Sequence, residues 1–92
     1  MTKYEFKDRN GDIYTRITLR LAYRLFNENK YIVLCPSNLR PFSMFNPQIT
    51  ISNENGDDFS KIIEHFKYYN CTDRYTGRDV YFYARKDTLN ND

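Results

Sequence analysis

The feature that most constrains the fold is a continuous apolar run from Tyr31 to Cys35, bounded by Lys30 and Pro36. Its residues favour strands, and a short run without a polar member is typical of a strand that is covered on both faces. Such a strand belongs inside a sheet. The chain must therefore place other strands beside this run and apolar side chains on both sides of it.

Two elements are predicted before this run. Asn10-Gly11 favours a tight turn, and the extended segments 3–6 and 12–15 on either side of it predict a hairpin. From Thr18 the apolar residues recur at three- and four-residue steps, which predicts a helix capped by Thr18 and ending near Asn29. This strand, helix, strand start leaves open a right-handed parallel crossover.

Three elements are predicted after the run. Residues 48–52 alternate as a half-buried strand does, a helix capped by Asp57 or Asp58 follows, and residues 80–85 alternate as a final strand. The apolar stripe of that helix consists of Phe59, Ile62, Ile63, Phe66 and Tyr69. The final strand is a candidate edge that could pair with a second copy of the chain, so monomer and homodimer both stay open.

This order of elements predicts an α+β fold, with a small mixed or antiparallel sheet of four to five strands and two helices packed on one face. We expect a single domain over residues 1–92, with a frayed C-terminal tail at 87–92. The chain has nine Tyr and seven Phe. An interior of this size cannot hold all of these rings, so several Tyr should lie partly exposed.

Charge and hydropathy restrict the partners and the cellular location that we expect for this protein. The formal net charge is only +2, with acidic and basic residues interspersed, unlike a protein that coats DNA or mimics it. No apolar stretch approaches the roughly 18 residues of a spanning helix, and the N-terminus is charged from its third residue, unlike a signal peptide. We therefore expect a cytoplasmic protein without membrane partners.

The sequence offers little that suggests catalysis. His65 is the single histidine, and Cys35 and Cys71 are far apart, without the spacing of a zinc or redox site. The polar turn before Asp57 and Asp58 lacks the alternating oxygen ligands of a calcium loop. We expect no enzyme activity, no catalytic residues, no metal site and no cofactor.

Three arginines could form one binding strip. Arg16, Arg20 and Arg24 recur every four residues, so they share one face if the first helix includes them all, in a strip about 12 Å long. This strip is either the solvated face of an amphipathic helix or a nucleic-acid site. With so few phosphate contacts, nucleic-acid binding would be weak, with a slope of log affinity against log salt of roughly −2 to −4.

The segment from Pro36 to Pro47 contains all three prolines and several large apolar side chains, so it cannot form one regular element. Apolar side chains on a surface loop often mark a contact site. The alternative is that Phe42 and Phe45 fold back and close the core of a domain too small to cover itself.

Several short segments carry a resemblance. They are Leu21-Ala22, Tyr31–Pro36, Arg40-Pro41, Tyr69–Cys71, Thr76-Gly77 and Tyr81–Tyr83. Together they resemble small uncharacterised accessory proteins carried by phages and mobile elements of Gram-positive bacteria. The resemblance implies a phage gene product in the cytoplasm of a bacterial host, and many such proteins act by occupying a host enzyme or defence complex, including CRISPR nucleases.

The leading hypothesis is therefore a non-enzymatic module that binds a host protein and could inhibit a host defence nuclease. Its expected anchors are exposed aromatic and arginine side chains on the proline-rich loop and the final strand: Arg40, Phe42, Phe45, Tyr81 and Tyr83. The alternative is a small nucleic-acid-binding protein that uses the strip of Arg16, Arg20 and Arg24.

Overall fold

The structure is a computed structural model and describes residues 4–43, 46–54 and 56–90. Within these residues the chain forms five strands and three helices. In chain order they are β1 Glu5–Lys7, β2 Ile13–Ile17, α1 Leu19–Asn27, β3 Ile32–Pro36, β4 Ile49–Ile51, α2 Phe59–Asn70, β5 Val80–Arg85 and α3 Lys86–Asn90. The predicted α+β class is confirmed.

The five strands form one sheet in the order β1-β2-β5-β3-β4, and every neighbouring pair is antiparallel. The parallel crossover is therefore not formed, because β2 and β3, which α1 connects, are separated by β5. The prediction of a final edge strand is wrong as well. Tyr83 of β5 pairs with Arg16 of β2 on one side and with Val33 of β3 on the other.

Both predicted helix caps are present. The Oγ1 of Thr18 accepts a hydrogen bond from the backbone N–H of Leu21 at 3.1 Å, and Oδ1 of Asp58 accepts one from the N–H of Ser60 at 2.9 Å. These bonds satisfy N–H groups that have no partner within the helix, so each helix begins directly after its cap. None of the described helices is long and apolar enough to cross a membrane.

Two hydrophobic clusters lie on opposite faces of the sheet, since alternate residues of β3 and β5 belong to different clusters. The main core cluster includes Ile32, Leu34, Val80, Phe82 and Ala84 of the strands, together with Ala22, Leu25, Phe26, Phe59 and Phe66 of the helices. The loop-side cluster includes Val33, Cys35 and Tyr83, against which Phe6, Tyr14, Leu39, Phe42 and Tyr81 pack. The predicted burial of β3 on both faces is confirmed.

Phe59, the first residue of α2, is the centre of the aromatic packing in the main core cluster. Its ring centroid lies 5.1 Å from that of Phe26 in α1 and 6.1 Å from that of Phe82 in β5. Tyr23, one turn before the end of α1, meets the same ring edge-on at 5.4 Å. One ring therefore joins both long helices to the central strand.

Two local predictions differ from the structure. Residues 87–90 are not frayed but belong to α3, where Leu89 packs against the main core cluster and Nζ of Lys86 lies 2.7 Å from Oε2 of Glu5. Residues 91–92 lie outside the described residues. Tyr69, which the stripe of α2 placed in the core, is exposed and packs its ring on His65 and Tyr68.

Candidate functional site

Arginines stacked on aromatic rings form the most distinctive group on the loop side of the sheet. We call Tyr4, Phe6, Arg16, Arg40 and Tyr81 the arginine–aromatic surface. Its position follows from the first hairpin, in which Phe6 pairs with Tyr14 and the N–H of Arg16 donates to the carbonyl of Tyr4. Because side chains alternate along each strand, Phe6, Arg16 and Tyr81 project to the same face, and Arg40 reaches the ring of Phe6 from the loop.

Arg16 is held flat against a ring. Its guanidinium carbon lies 3.4 Å from the ring centroid of Tyr81 and 5.9 Å from that of Tyr4. A guanidinium over an aromatic face is attracted by the ring's negative face. The Arg16 side chain is exposed, so the edges of its guanidinium that are not against a ring stay open to solvent.

Arg40 is positioned by the proline-rich loop. Its guanidinium carbon lies 5.5 Å from the ring centroid of Phe6. The loop is fastened at three points: Nδ2 of Asn46 donates to the carbonyl of Arg40, Sγ of Cys35 donates to that of Leu39, and the N–H of Phe42 donates to Oε1 of Gln48. Arg40 is therefore an exposed residue on an ordered segment.

The loop closes the core at Phe42. This side chain is half-buried, packs on the loop-side cluster and lies 4.6 Å from the ring of Tyr14. Of the two alternatives for Phe42, folding back over the core is therefore the one observed. Phe45, the other loop aromatic, lies outside the described residues.

The expected anchors on β5 differ in exposure. Tyr83 is only 3% exposed, so the prediction that it projects into solvent is wrong. It is covered because it lies in the central strand, beneath the loop and against the ring of Phe6 at 5.6 Å. Tyr81 is half-buried beneath Arg16. Of the five expected anchors, Arg40 and Tyr81 belong to the arginine–aromatic surface.

The predicted arginine strip does not form. Arg16 belongs to β2, while Arg20 and Arg24 belong to α1, because the Thr18 cap ends the strand and begins the helix. Arg24 also pairs with Glu28 at 3.7 Å. The three side chains therefore share no helical face. What the sequence did not indicate is the role of Tyr4 and Phe6, whose alternation with charged residues in the segment 3–6 was the available signal.

Burial raises the pKa of two groups that lie beneath the loop. It raises the pKa of the Cys35 thiol from 9.0 to about 12 and that of the Tyr83 hydroxyl from 10.0 to about 12. Burial also raises the pKa of Cys71, and both cysteines are free. The buried thiols are therefore kept in their unreactive protonated form at neutral pH.

We expect the protein to lose stability in alkali. Both groups have a higher pKa in the folded than in the unfolded protein. Their contribution to stability is therefore complete below the unfolded-state pKa and is lost as the pH rises towards the folded-state pKa, here between about pH 9 and 12. The free energy of unfolding should fall by at most about 1.4 kcal/mol per pH unit for each group, for Cys35 between 9.0 and about 12 and for Tyr83 between 10.0 and about 12. Urea unfolding between pH 8 and 11 should show a shallower loss for Tyr83→Phe. Tyr75→Phe, which alters an exposed ring, should match the wild type, and identical profiles for all three proteins would contradict the assignment.

The described residues contain no group of three or more His, Cys, Asp or Glu side chains able to hold a metal ion. The clefts on the described surface are shallow, and some are lined mainly by apolar and others mainly by polar atoms. An apolar one, with a volume of about 420 Å³, lies between α1 and α2 and is lined by Leu19, Tyr23, Phe59 and Ile63 among others.

We compared the chain with protein-family models, with curated proteins and with solved structures, and none of the three comparisons gives a match.

Proposed function

We propose that this protein is a binding module for a partner protein and that the arginine–aromatic surface contacts acidic side chains of that partner. The observation that carries the proposal is the state of two exposed cations. Arg16 stacks on the ring of Tyr81 at 3.4 Å, Arg40 lies within cation–π range of Phe6 at 5.5 Å, and neither forms an ion pair with any residue in the described part of the chain.

Stacking prepares a guanidinium for binding. The ring occupies one face of the plane, which leaves the N–H groups along its edge free to donate two parallel hydrogen bonds to a carboxylate. Because the side chain is already ordered on the ring, less conformational entropy is lost when a partner binds. Arginine and tyrosine are also the residues most often found at the energetic centre of protein interfaces.

The charges around this surface favour a protein over a nucleic acid. Arg85, on the same face of β5, is paired with Asp12 at 3.5 Å and with Asp87 at 2.8 Å, so this face carries carboxylates as well as cations. A groove that follows a phosphate backbone carries cations along its length without such carboxylates. Alternating charge suits a folded partner, whose surface carries both signs.

The particular partner is proposed from the resemblance to accessory proteins of phages and mobile elements. On that basis we propose a host protein, and more narrowly a defence nuclease complex that the module inhibits by occupying it, with no catalytic step of its own. The exposed arginines restrict this proposal to an acidic patch of the nuclease, since the cationic groove that binds phosphates would repel them.

We expect substitution of the two arginines to weaken partner binding. Tagged wild-type protein is incubated with nuclease-treated lysate of a Gram-positive bacterium, and bound proteins are identified by mass spectrometry and then purified for titration. Arg16→Gln with Arg40→Gln should weaken binding of the captured protein about 10- to 100-fold, because two central contacts are lost.

The control is Arg20→Gln with Arg24→Gln, which removes the same charge from the exposed side of α1 and should bind as the wild type does. Circular dichroism and thermal unfolding establish that both variants are folded. If both variants weakened binding equally, the loss of affinity would come from the lower net charge alone, and the surface assignment would be overturned. Recovery of nucleic acid alone from lysate without nuclease, with affinity falling steeply in salt, would overturn protein binding.

A further inference from the structure

The turn between α2 and β5 has more internal bonding than an exposed connection needs. The N–H of Gly77 donates to the carbonyl of Asp73 at 2.9 Å, and the N–H of Thr76 donates to Oδ1 of Asp73 at the same distance. Thr76 Oγ1 in turn accepts from the N–H of Thr72 at 3.2 Å. Side-chain oxygens thus hold the backbone of residues 73–77 in one conformation.

The turn is also fastened to the start of the proline-rich loop. Nδ2 of Asn38 donates to the carbonyl of Arg74 at 2.7 Å, and the N–H of Asn38 donates to the carbonyl of Thr76 at 3.1 Å. Gly77 allows this approach, since a Cβ at its position would lie 2.8 Å from the Asn38 nitrogen. Two surface segments therefore brace each other, and the turn has little freedom to move.

This braced turn displays Tyr75. The side chain is 77% exposed, more than any other large hydrophobic side chain in the described residues. It has no ring contact and no side-chain hydrogen bond within that part of the chain. Arg74 and Arg78 are exposed beside it, and neither forms an ion pair with a described carboxylate. The fold thus fixes the backbone from which an aromatic ring and its neighbouring cations project, although the ring contributes no packing.

We infer that the turn 73–77 is a second contact element, in which Tyr75 inserts into an apolar pocket of a partner protein whose rim carries carboxylates that pair with Arg74 and Arg78. This inference rests on the proposed protein-binding function and specifies the shape and charge of the partner. A rigid amphipathic ring supplies contact area at low entropic cost. The two arginines make the surroundings of the ring complementary to an acidic rim.

The test compares two tyrosines of nearly equal exposure. Tyr75→Ala removes the ring from the turn, and Tyr68→Ala removes a 75% exposed ring from α2. The probe is the purified protein that the wild-type chain captures from nuclease-treated lysate. Its affinity should fall at least tenfold with Tyr75→Ala and less than twofold with Tyr68→Ala, because interface centres tolerate truncation poorly.

A third variant separates the ring from its bracing. Thr76→Ala keeps Tyr75 and the charges of the turn but removes the hydroxyl that accepts from the N–H of Thr72, so it should weaken binding through a faster dissociation rate while the protein stays folded. Photo-crosslinking from a benzoylphenylalanine at position 75 should label the same partner, and the same probe at position 68 should not.

The outcomes distinguish the two proposals. If Arg16→Gln with Arg40→Gln weakens binding at least tenfold while Tyr75→Ala leaves it unchanged, the inference about the turn is overturned and the arginine–aromatic surface stands. Equal effects of Tyr75→Ala and Tyr68→Ala would likewise overturn it. Capture of no protein by the wild type would overturn both proposals.

Discussion

Replacing Phe26 by alanine is expected to lower the free energy of unfolding by about 3–5 kcal/mol. The ring is only 1% exposed and packs 5.1 Å from the ring of Phe59, which in turn contacts Phe82. Its removal leaves a cavity where α1, α2 and β5 meet. The cost is the lost transfer free energy of the ring plus a further cost for the cavity. Because small domains are stable by only about 5–15 kcal/mol, this loss is a large share of the total free energy of unfolding.

Tyr23→Ala is the matched control. Tyr23 is in the same helix and contacts the same ring of Phe59, but it is 51% exposed, so its loss should cost about 1 kcal/mol. Urea unfolding of both variants at pH 7 measures the difference. Equal losses would mean that Phe26 is not enclosed between the helices as described.

Gly77→Ala is expected to destabilise the protein by about 2–5 kcal/mol, for two reasons that add. The residue has φ +86°, a conformation that costs a side-chain-bearing residue about 1–2 kcal/mol. In addition, the new Cβ would lie 2.1 Å from Oγ of Ser37 and 2.8 Å from the backbone nitrogen of Asn38. Ser37 can rotate away, but the backbone of Asn38 cannot move without breaking its bond to Thr76.

Gly11→Ala isolates the first of these reasons. Gly11 has φ +84° and no atom within 4 Å of a built Cβ, so only the conformational cost of about 1–2 kcal/mol applies. In thermal unfolding, Gly77→Ala should have a lower melting temperature than Gly11→Ala. The variant Ser37→Gly combined with Gly77→Ala should recover little, since the clash with Asn38 persists. Full recovery would show that the turn and the loop are not braced through their backbones.

Local sequence signals predicted the elements well where one interaction sets the boundary. The Thr18 and Asp58 caps fixed the starts of α1 and α2, and the apolar run at Tyr31 identified the strand that is covered on both faces. Strand order was not predictable in the same way. Placing β5 between β2 and β3 depends on pairing between distant residues such as Arg16 and Tyr83, which no local pattern records.

The candidate site shows the same limit. Arg40 and Tyr81 were selected from sequence, but the four-residue spacing of arginines suggested a helix through Arg16, although the Thr18 cap already separated Arg16 from that helix. Tyr83 was expected to be exposed because alternation along a strand assigns a face but says nothing of what covers it. The cover is the proline-rich loop, whose path is set by bonds such as that from Asn46 to Arg40.

The central position of β5 has a consequence during synthesis. The strands made first, β1 with β2 and β3 with β4, form two separate hydrogen-bonded pairs that only Val80–Arg85 can join. Until that segment leaves the ribosome, a nascent chain exposes one open edge on β2 and another on β3, and such edges invite pairing with other chains. Assembly of the complete sheet must therefore wait until nearly the whole described chain has emerged.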